Sequence, residues 1–329
     1  MIFLEVHNSA IEEILLTRFE NAKLNGKYEK TDFVLADFDG VLFKVFSHAQ
    51  DKSKLFLTLS IDCFQELANE GATKVLEREY GEYLMSKPIE ESSVALQFDL
   101  DKLPDDFAKL AHDAALIKRN CFAGVFEKFF EFLGEETVGM KQAVIHFRQD
   151  ETLYVQAQGD RVIVIFSTVF KDPEDVIIGK VFMQEFTEVR RRFDRAPQVF
   201  YSYKNPPPEL AGTDAVTGEN FAYITLVLFP RHVDEAHLNR SINLIHSLRN
   251  FLHYHIKCSK GYIHQRLRAK TTEFIKVLNR AKPDWNSQPA VLVNPLGALS
   301  SAVFQSQNTM NSIIDRTESM NLNGDYNEI

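Results

Sequence analysis

Tryptophan is nearly absent: the 329-residue chain has one, against 27 phenylalanines. That bias supplies a packed interior and no chemistry. Cysteine is scarce as well. Cys63, Cys121 and Cys258 are odd in number and far apart, so they fit no disulfide framework and no Cys-x-x-Cys metal spacing. A reducing, cytosolic compartment is the expectation. No apolar run is long enough for a bilayer: the longest strongly apolar stretch, Val162 to Phe170, falls far short of the roughly 20 residues a spanning helix needs. Met1-Ile-Phe-Leu-Glu5 meets an acid at once and lacks a basic region, so no signal peptide is expected. Together these absences predict a soluble intracellular protein with no stable membrane insertion.

Acidic residues are almost missing from one segment. Between Arg240 and Lys282 stand Arg240, Arg249, Lys257, Lys260, Arg266, Arg268, Lys270, Lys276, Arg280 and Lys282, with Glu273 as the single acid. The segment carries +9, which leaves −18 for the rest of a chain whose net charge is −9. Such asymmetry marks a surface for an acidic partner. Nucleic acid is not the expected one, because the run lacks interleaved stacking aromatics and belongs to an acidic chain. An acidic protein polymer or an anionic membrane surface fits better.

What is present reads as an α+β fold of two related α/β modules with mainly antiparallel sheets, followed by a long C-terminal α-helix. Residues 1–106 form the first module and 107–233 the second. The long helix takes 234–283, and a polar, disordered tail takes 284–329. In the first module, Ile11, Ile14, Leu15 and Phe19 recur at helical spacing, with Asn8 or Ser9 as cap. Asp32 to Phe46 reads as one long or two abutting strands, Leu55 to Ile61 as a strand, Phe64 to Tyr80 as a helix containing Gly71, and Val94 to Phe98 as a short strand. Phe107 to Leu133 predicts one long helix bridging the modules. Ala143 to Arg148, Thr152 to Ala157 and Arg161 to Phe170 are strands at hairpin spacing, turning at Gln149-Asp150 and Gly159-Asp160. Pro173 to Arg192 is a helix, with proline where the first turn tolerates it. Val199 to Tyr203 and Tyr223 to Phe229 are strands. Proline is then missing until Pro283, so the last helix runs for almost fifty residues, roughly 70 Å at 1.5 Å per residue. Its stripe is Leu238, Ile242, Ile245, Leu248, Leu252, Ile256, Ile263, Leu267, Phe274 and Leu278, interrupted by Gly261. A helix that outruns its domain must bury its outer half on a partner, most simply another helix.

One motif points to catalysis. Phe33-Val-Leu-Ala-Asp37-Phe-Asp39-Gly-Val-Leu resembles the first motif of haloacid dehalogenase phosphatases, where two aspartates at the end of a parallel strand share Mg²⁺. Asp37 would be the nucleophile and Asp39 the acid. Leu57-Thr58-Leu-Ser60 follows too soon to be the second motif, and no downstream carboxylate pair follows an apolar strand. The plain alternative is strand–turn–strand with Asp39-Gly40 as the bend. His253 and His255 are two apart and cannot share a metal as an i,i+4 pair would; His246, His253 and His264 are expected to flank the packing stripe. Neither metal nor cofactor is expected. Arg190-Arg191-Arg192, with Arg195, either complement a helix C-terminus or meet an acidic partner. A standalone module binding anionic surfaces is the remaining alternative.

Several longer segments carry a resemblance. They are Ala36-Asp-Phe-Asp-Gly-Val-Leu-Phe43, Lys118-Arg-Asn-Cys-Phe-Ala123 with Val125-Phe-Glu-Lys128, Val164-Ile-Phe-Ser-Thr-Val-Phe-Lys-Asp172, and Ile178-Gly-Lys-Val-Phe-Met-Gln-Glu-Phe186. Phe229-Pro-Arg-His232, His253-Tyr-His-Ile-Lys-Cys-Ser-Lys260, Arg268-Ala-Lys-Thr271 and Val277-Leu-Asn-Arg280 follow in order. From Met1 to about Asp284 the chain resembles the family of subunit 2, the large scaffold subunit, of the actin-related protein 2/3 complex. The resemblance implies a non-catalytic protein and retires the phosphatase reading. It implies pairing with subunit 4 through long antiparallel C-terminal helices, contact with the other subunits, and docking on the side of a mother actin filament during branching. Cytoplasm, cytoskeleton and actin-rich cell projections are the places implied. On this reading Ile242, Ile245, Leu248, Leu252, Ile256, Ile263, Leu267, Phe274 and Leu278 pack against subunit 4. The basic residues Arg190, Arg191, Arg192, Arg266, Arg268, Lys270, Lys276, Arg280 and Lys282 meet actin, and binding to the filament should weaken with salt.

Overall fold

The computed structural model describes residues 5–89, 91–134, 141–191 and 196–281. The predicted tail, Lys282 and Arg192 lie outside them. Helix α1 spans Ser9–Asn25 and buries Ile11, Leu15, Phe19 and Ala22; its cap is Asn8, whose side chain accepts from the Ile11 N–H. Strands β1 (Asp32–Ala36), β2 (Leu42–Ser47), β3 (Lys54–Ser60) and β4 (Val94–Asp99) form an antiparallel sheet in that order. The Asp32 to Phe46 run is therefore two strands, paired from Asp32↔Phe46 to Ala36↔Leu42.

Two helices predicted as continuous are broken. Phe64 to Tyr80 divides into α2 (Phe64–Asn69) and α3 (Ala72–Tyr80) around Gly71, whose φ is 103°. A residue with a Cβ is strained there, so the chain turns instead of continuing. Phe107 to Leu133 divides at Leu116 into α4 (Phe107–Ala115) and α5 (Ile117–Glu131). No glycine or proline marks this break. Its cause is tertiary: α4 packs on α1, whereas α5 packs on α2 and α3.

Gly124 on α5 permits that second packing. A Cβ at Gly124 would stand 2.5 Å from the backbone nitrogen of Ala72 and 2.6 Å from the carbonyl carbon of Gly71. Backbone cannot yield as a flexible side chain can. Gly124→Ala is expected to destabilise the chain by about 3 kcal/mol, the upper end for overpacking. Gly261→Ala, where nothing lies within 4 Å of the added carbon, should instead stabilise by about 0.5–1 kcal/mol. Chemical denaturation midpoints compare the two.

The second sheet is also antiparallel, in the order β5 (Lys141–Ile145), β6 (Leu153–Gln158), β7 (Arg161–Val169), β9 (Phe221–Leu228), β8 (Gln198–Tyr203). Helix α6 (Pro173–Arg191) connects β7 to β8. The last helix, α7, spans Leu238–Ala281. Buried side chains of both sheets, such as Leu57, Phe98, Val155 and Leu226, join those of α1, α5 and proximal α7 in one apolar cluster. Contacts divide the chain between Leu267 and Arg268. Among the described residues no helix is long and apolar enough to cross a membrane.

Candidate functional site

The aspartates of the phosphatase-like motif sit in the β1–β2 turn of an antiparallel sheet. Asp39 and Gly40 both have positive φ, 71° and 66°, the conformation for which Asp-Gly suits a tight hairpin. Asp39 is committed to cations. It meets Lys118 of α5 at 3.2 Å and Arg148 of the β5–β6 loop at 2.8 Å, with Arg249 of α7 at 3.8 Å. Arg249 also holds Glu151 at 2.6 Å, and Lys118 lies 3.5 Å from Asp37. Three carboxylates thus balance three cations drawn from four parts of the chain. Burial alone would push the Asp39 carboxyl up; Lys118, Arg148 and Arg249 outweigh it and hold the group well below the usual carboxylate range. An aspartate so engaged, off any parallel strand, cannot serve a Mg²⁺-dependent phosphoryl transfer. The phosphatase expectation is corrected: the motif is a turn and a buried ionic joint.

Beside the joint, Arg119 donates to three asparagine side chains: Asn120 at 2.9 Å and, on α7, Asn239 at 2.8 Å and Asn243 at 2.9 Å. These bonds and the joint tie proximal α7 to α5. His246 and His253 pack against Phe122 and Phe170, and burial pushes both imidazoles down to about 3. They are neutral packing groups at neutral pH, beside the stripe as expected.

Along α7 the predicted stripe divides in two. Ile242, Ile245, Leu248, Leu252 and Ile256 are buried in the chain's own core. This corrects their assignment to partner packing, because the chain's own apolar cluster already covers them and leaves no surface to offer. Ile263 and Leu267 remain exposed, the latter by 59%, with Tyr262 beside them. Within the unit that begins at Arg268, Phe274 is 64% exposed, and Val277 and Leu278 are exposed too. Periodicity found the stripe; it could not say which half was spent internally. Val277 and Tyr262 were missed, since neither fell on the stripe as drawn.

The basic residues divide similarly. Arg249 belongs to the buried joint, and Lys260 is held by Asp172 at 2.8 Å and Asp175 at 3.0 Å. Lys270 lies 3.2 Å from Glu273. Among the described residues, Arg266, Arg268, Lys276 and Arg280 have no carboxylate within 4.0 Å and are exposed; Arg266 lies over the Tyr262 ring at 5.6 Å. At about 100° per residue, Lys270, Val277, Leu278 and Ala281 fall within about 60° of Phe274. Arg268, Lys276 and Arg280 fall about 120° or more away. Beyond the Leu267–Arg268 division, then, α7 has one apolar face containing Lys270 and one basic face. Arg190 and Arg191 stand in the last turn of α6.

A family model of the Arp2/3 complex 34 kD subunit, p34-Arc, matches residues 57–285. The chain is 36% identical over 307 residues to Actin-related protein 2/3 complex subunit 2 of Schizosaccharomyces pombe, covering 86% of this chain and 95% of that protein. It is 36% identical over 286 residues to the protein of the same name from Dictyostelium discoideum, covering 86% and 94%.

Proposed function

The chain belongs to the p34-Arc family of Arp2/3 complex subunits, and we propose that it uses the two faces of distal α7 for two tasks, helix pairing and filament contact. It is a structural, non-catalytic subunit of that complex, and its place is the cytoplasm and the cytoskeleton. In this reading Ile263, Leu267, Phe274, Val277 and Leu278 bury against the antiparallel helix of subunit 4. Arg266, Arg268, Lys276 and Arg280 face the acidic side of the mother filament; Arg190, Arg191, Arg192 and Lys282 are assigned to actin on their charge alone. Lys270 sits within the pairing face, about 40° from Phe274 around the helix, and is the least suited of the basic residues to actin. Residues 1–106 and 107–233 act as two sheet-bearing modules that present the helix, and the complex works in actin-rich cell projections.

The observation that carries this reading is the pair of unsatisfied faces on one helix end. Exposed apolar side chains and cations without carboxylates call for different partners. A long helix pair clears the roughly 1,000 Å² of a stable interface. Exposed charge pairs, by contrast, weaken as salt shortens the Debye length from about 10 Å at 0.1 M. Reversing Arg268, Lys276 and Arg280 to Glu in the assembled complex should therefore lower co-sedimentation with actin filaments about tenfold at about 50 mM salt, with the deficit shrinking at about 300 mM. Assembly should not change. Equal co-sedimentation of both complexes at low salt would defeat the assignment, and purification of the tagged chain without the other subunits would defeat the wider reading.

A further inference from the structure

Away from α7, two histidines and a glutamate from distant parts of the sequence converge. His7 Nε2 lies 2.9 Å from one oxygen of Glu12, and His112 Nδ1 lies 3.2 Å from the other. The three ligand atoms lie within 4.8 Å of one another. The two rings are 4.7 Å apart between centroids. Glu5 brings a further carboxylate oxygen to 3.3 Å from His7 Nε2. Sequence spacing could not show this group, because His112 is a hundred positions from Glu12.

The backbone holds the ligands in place. Glu12 stands in the first turn of α1 and His112 in the last turn of α4. The residue after His7 is fixed twice: the Asn8 N–H donates to the Ala115 carbonyl at 3.1 Å, and the Asn8 side chain accepts from the Ile11 N–H at 3.1 Å. Helices α1 and α4 pack on each other, with Ile11 and Leu15 of the first and Ala111 and Ala115 of the second buried. A cavity of about 470 Å³ lined by Glu5, His7 and His112 gives a path from solvent.

Ligands bound at about 2.0–2.1 Å around a tetrahedral ion stand about 3.3 Å from one another. Each nitrogen-to-carboxylate separation is close to that, though to a different Glu12 oxygen, and with all three ligand atoms within 4.8 Å modest side-chain rotation draws them around one ion. Two imidazoles and one carboxylate are a donor set for Zn²⁺ and its neighbours, not for Mg²⁺ or Ca²⁺. Simple ion pairing leaves two rings sharing one carboxylate, whereas a divalent ion engages all three lone pairs at once. We propose that His7, Glu12 and His112 form a transition-metal site of the Zn²⁺ class that staples the start of α1 to the end of α4, with Glu5 or water completing the coordination.

Co²⁺ is the probe, titrated into chelator-stripped full chain carrying Cys258→Ser, which removes the one exposed thiol. The expected result is one Co²⁺ per chain with the visible absorption of a four-coordinate site, displaced by Zn²⁺. His112→Gln and His7→Gln should each lower affinity at least tenfold. Zn²⁺ should raise the Tm of the parent by about 2–4 °C and leave the double variant unmoved. Absence of uptake by the parent overturns the proposal, as does uptake undiminished in the double variant. Should His7→Gln fail to fold by circular dichroism, the half-exposed His112→Gln decides alone: unchanged affinity overturns the site and a tenfold loss supports it.

Discussion

Replacing Leu267 and Phe274 together by Asp should weaken pairing with subunit 4 at least about 100-fold while leaving the chain's own stability within about 0.5 kcal/mol of wild type. Burying a Leu or Phe side chain is worth about 1.5–3 kcal/mol. The two substitutions remove that gain twice and place two carboxylates against an apolar face. Yet Leu267 and Phe274 are 59% and 64% exposed in the chain itself, so its folding should barely register the change. Leu252→Asp supplies the contrast. Leu252 has no exposed surface, and a carboxylate there should unfold the protein, removing pairing by a different route. Measuring both Tm and partner affinity separates the cases. Unchanged partner affinity in the folded double variant would sink the pairing face. A parallel fall in Tm would show that the face is internal after all.

These residues also show how far the sequence could be read. A 3.6-residue stripe reports that a helix buries a face; it is silent on whether the cover is its own chain or another. Leu252 and Leu267 look alike in sequence and differ completely in surroundings. The turn at Asp39-Gly40 was legible because its requirement is local: positive φ at both positions, which Asp and Gly tolerate. The ionic joint was not, because Asp39, Lys118, Arg148 and Arg249 are united only by the fold. For the same reason the basic excess was over-read. Arg249 and Lys260 add to the count of free cations in sequence and are neutralised by Glu151, Asp39, Asp172 and Asp175 in space. The break at Leu116 carried no local signal either, since two different packing partners impose it. Gly71 did carry one, yet the run was read as a single helix through it, because an isolated glycine inside a helical pattern is tolerated.

Arg249→Met should cost about 3–5 kcal/mol at neutral pH, the penalty of leaving a buried partner uncompensated. Glu151 loses its 2.6 Å ion pair and keeps Arg148 at 3.6 Å and the Val169 N–H at 3.0 Å, while its side chain is 4% exposed. Water cannot replace what the guanidinium supplied. Acid should narrow the difference between the two proteins. In the wild type, the depressed Asp39 carboxyl contributes stability that is present above its unfolded value of about 3.9 and is lost as pH falls through its lower folded value. His246 and His253, pushed down to about 3, make both proteins lose stability as pH falls below about 6.5, because only the unfolded chains take up those protons. For His246 that loss is common and cancels; Arg249 also pushes the His253 imidazole down, so the variant loses less there as pH falls, which narrows the difference further. The double change Arg249→Met with Glu151→Gln tests the cause: removing both charges should recover at least about half of the penalty. A single variant as stable as wild type, or a penalty that grows with acid, would mean that the joint does not hold proximal α7 to the sheets.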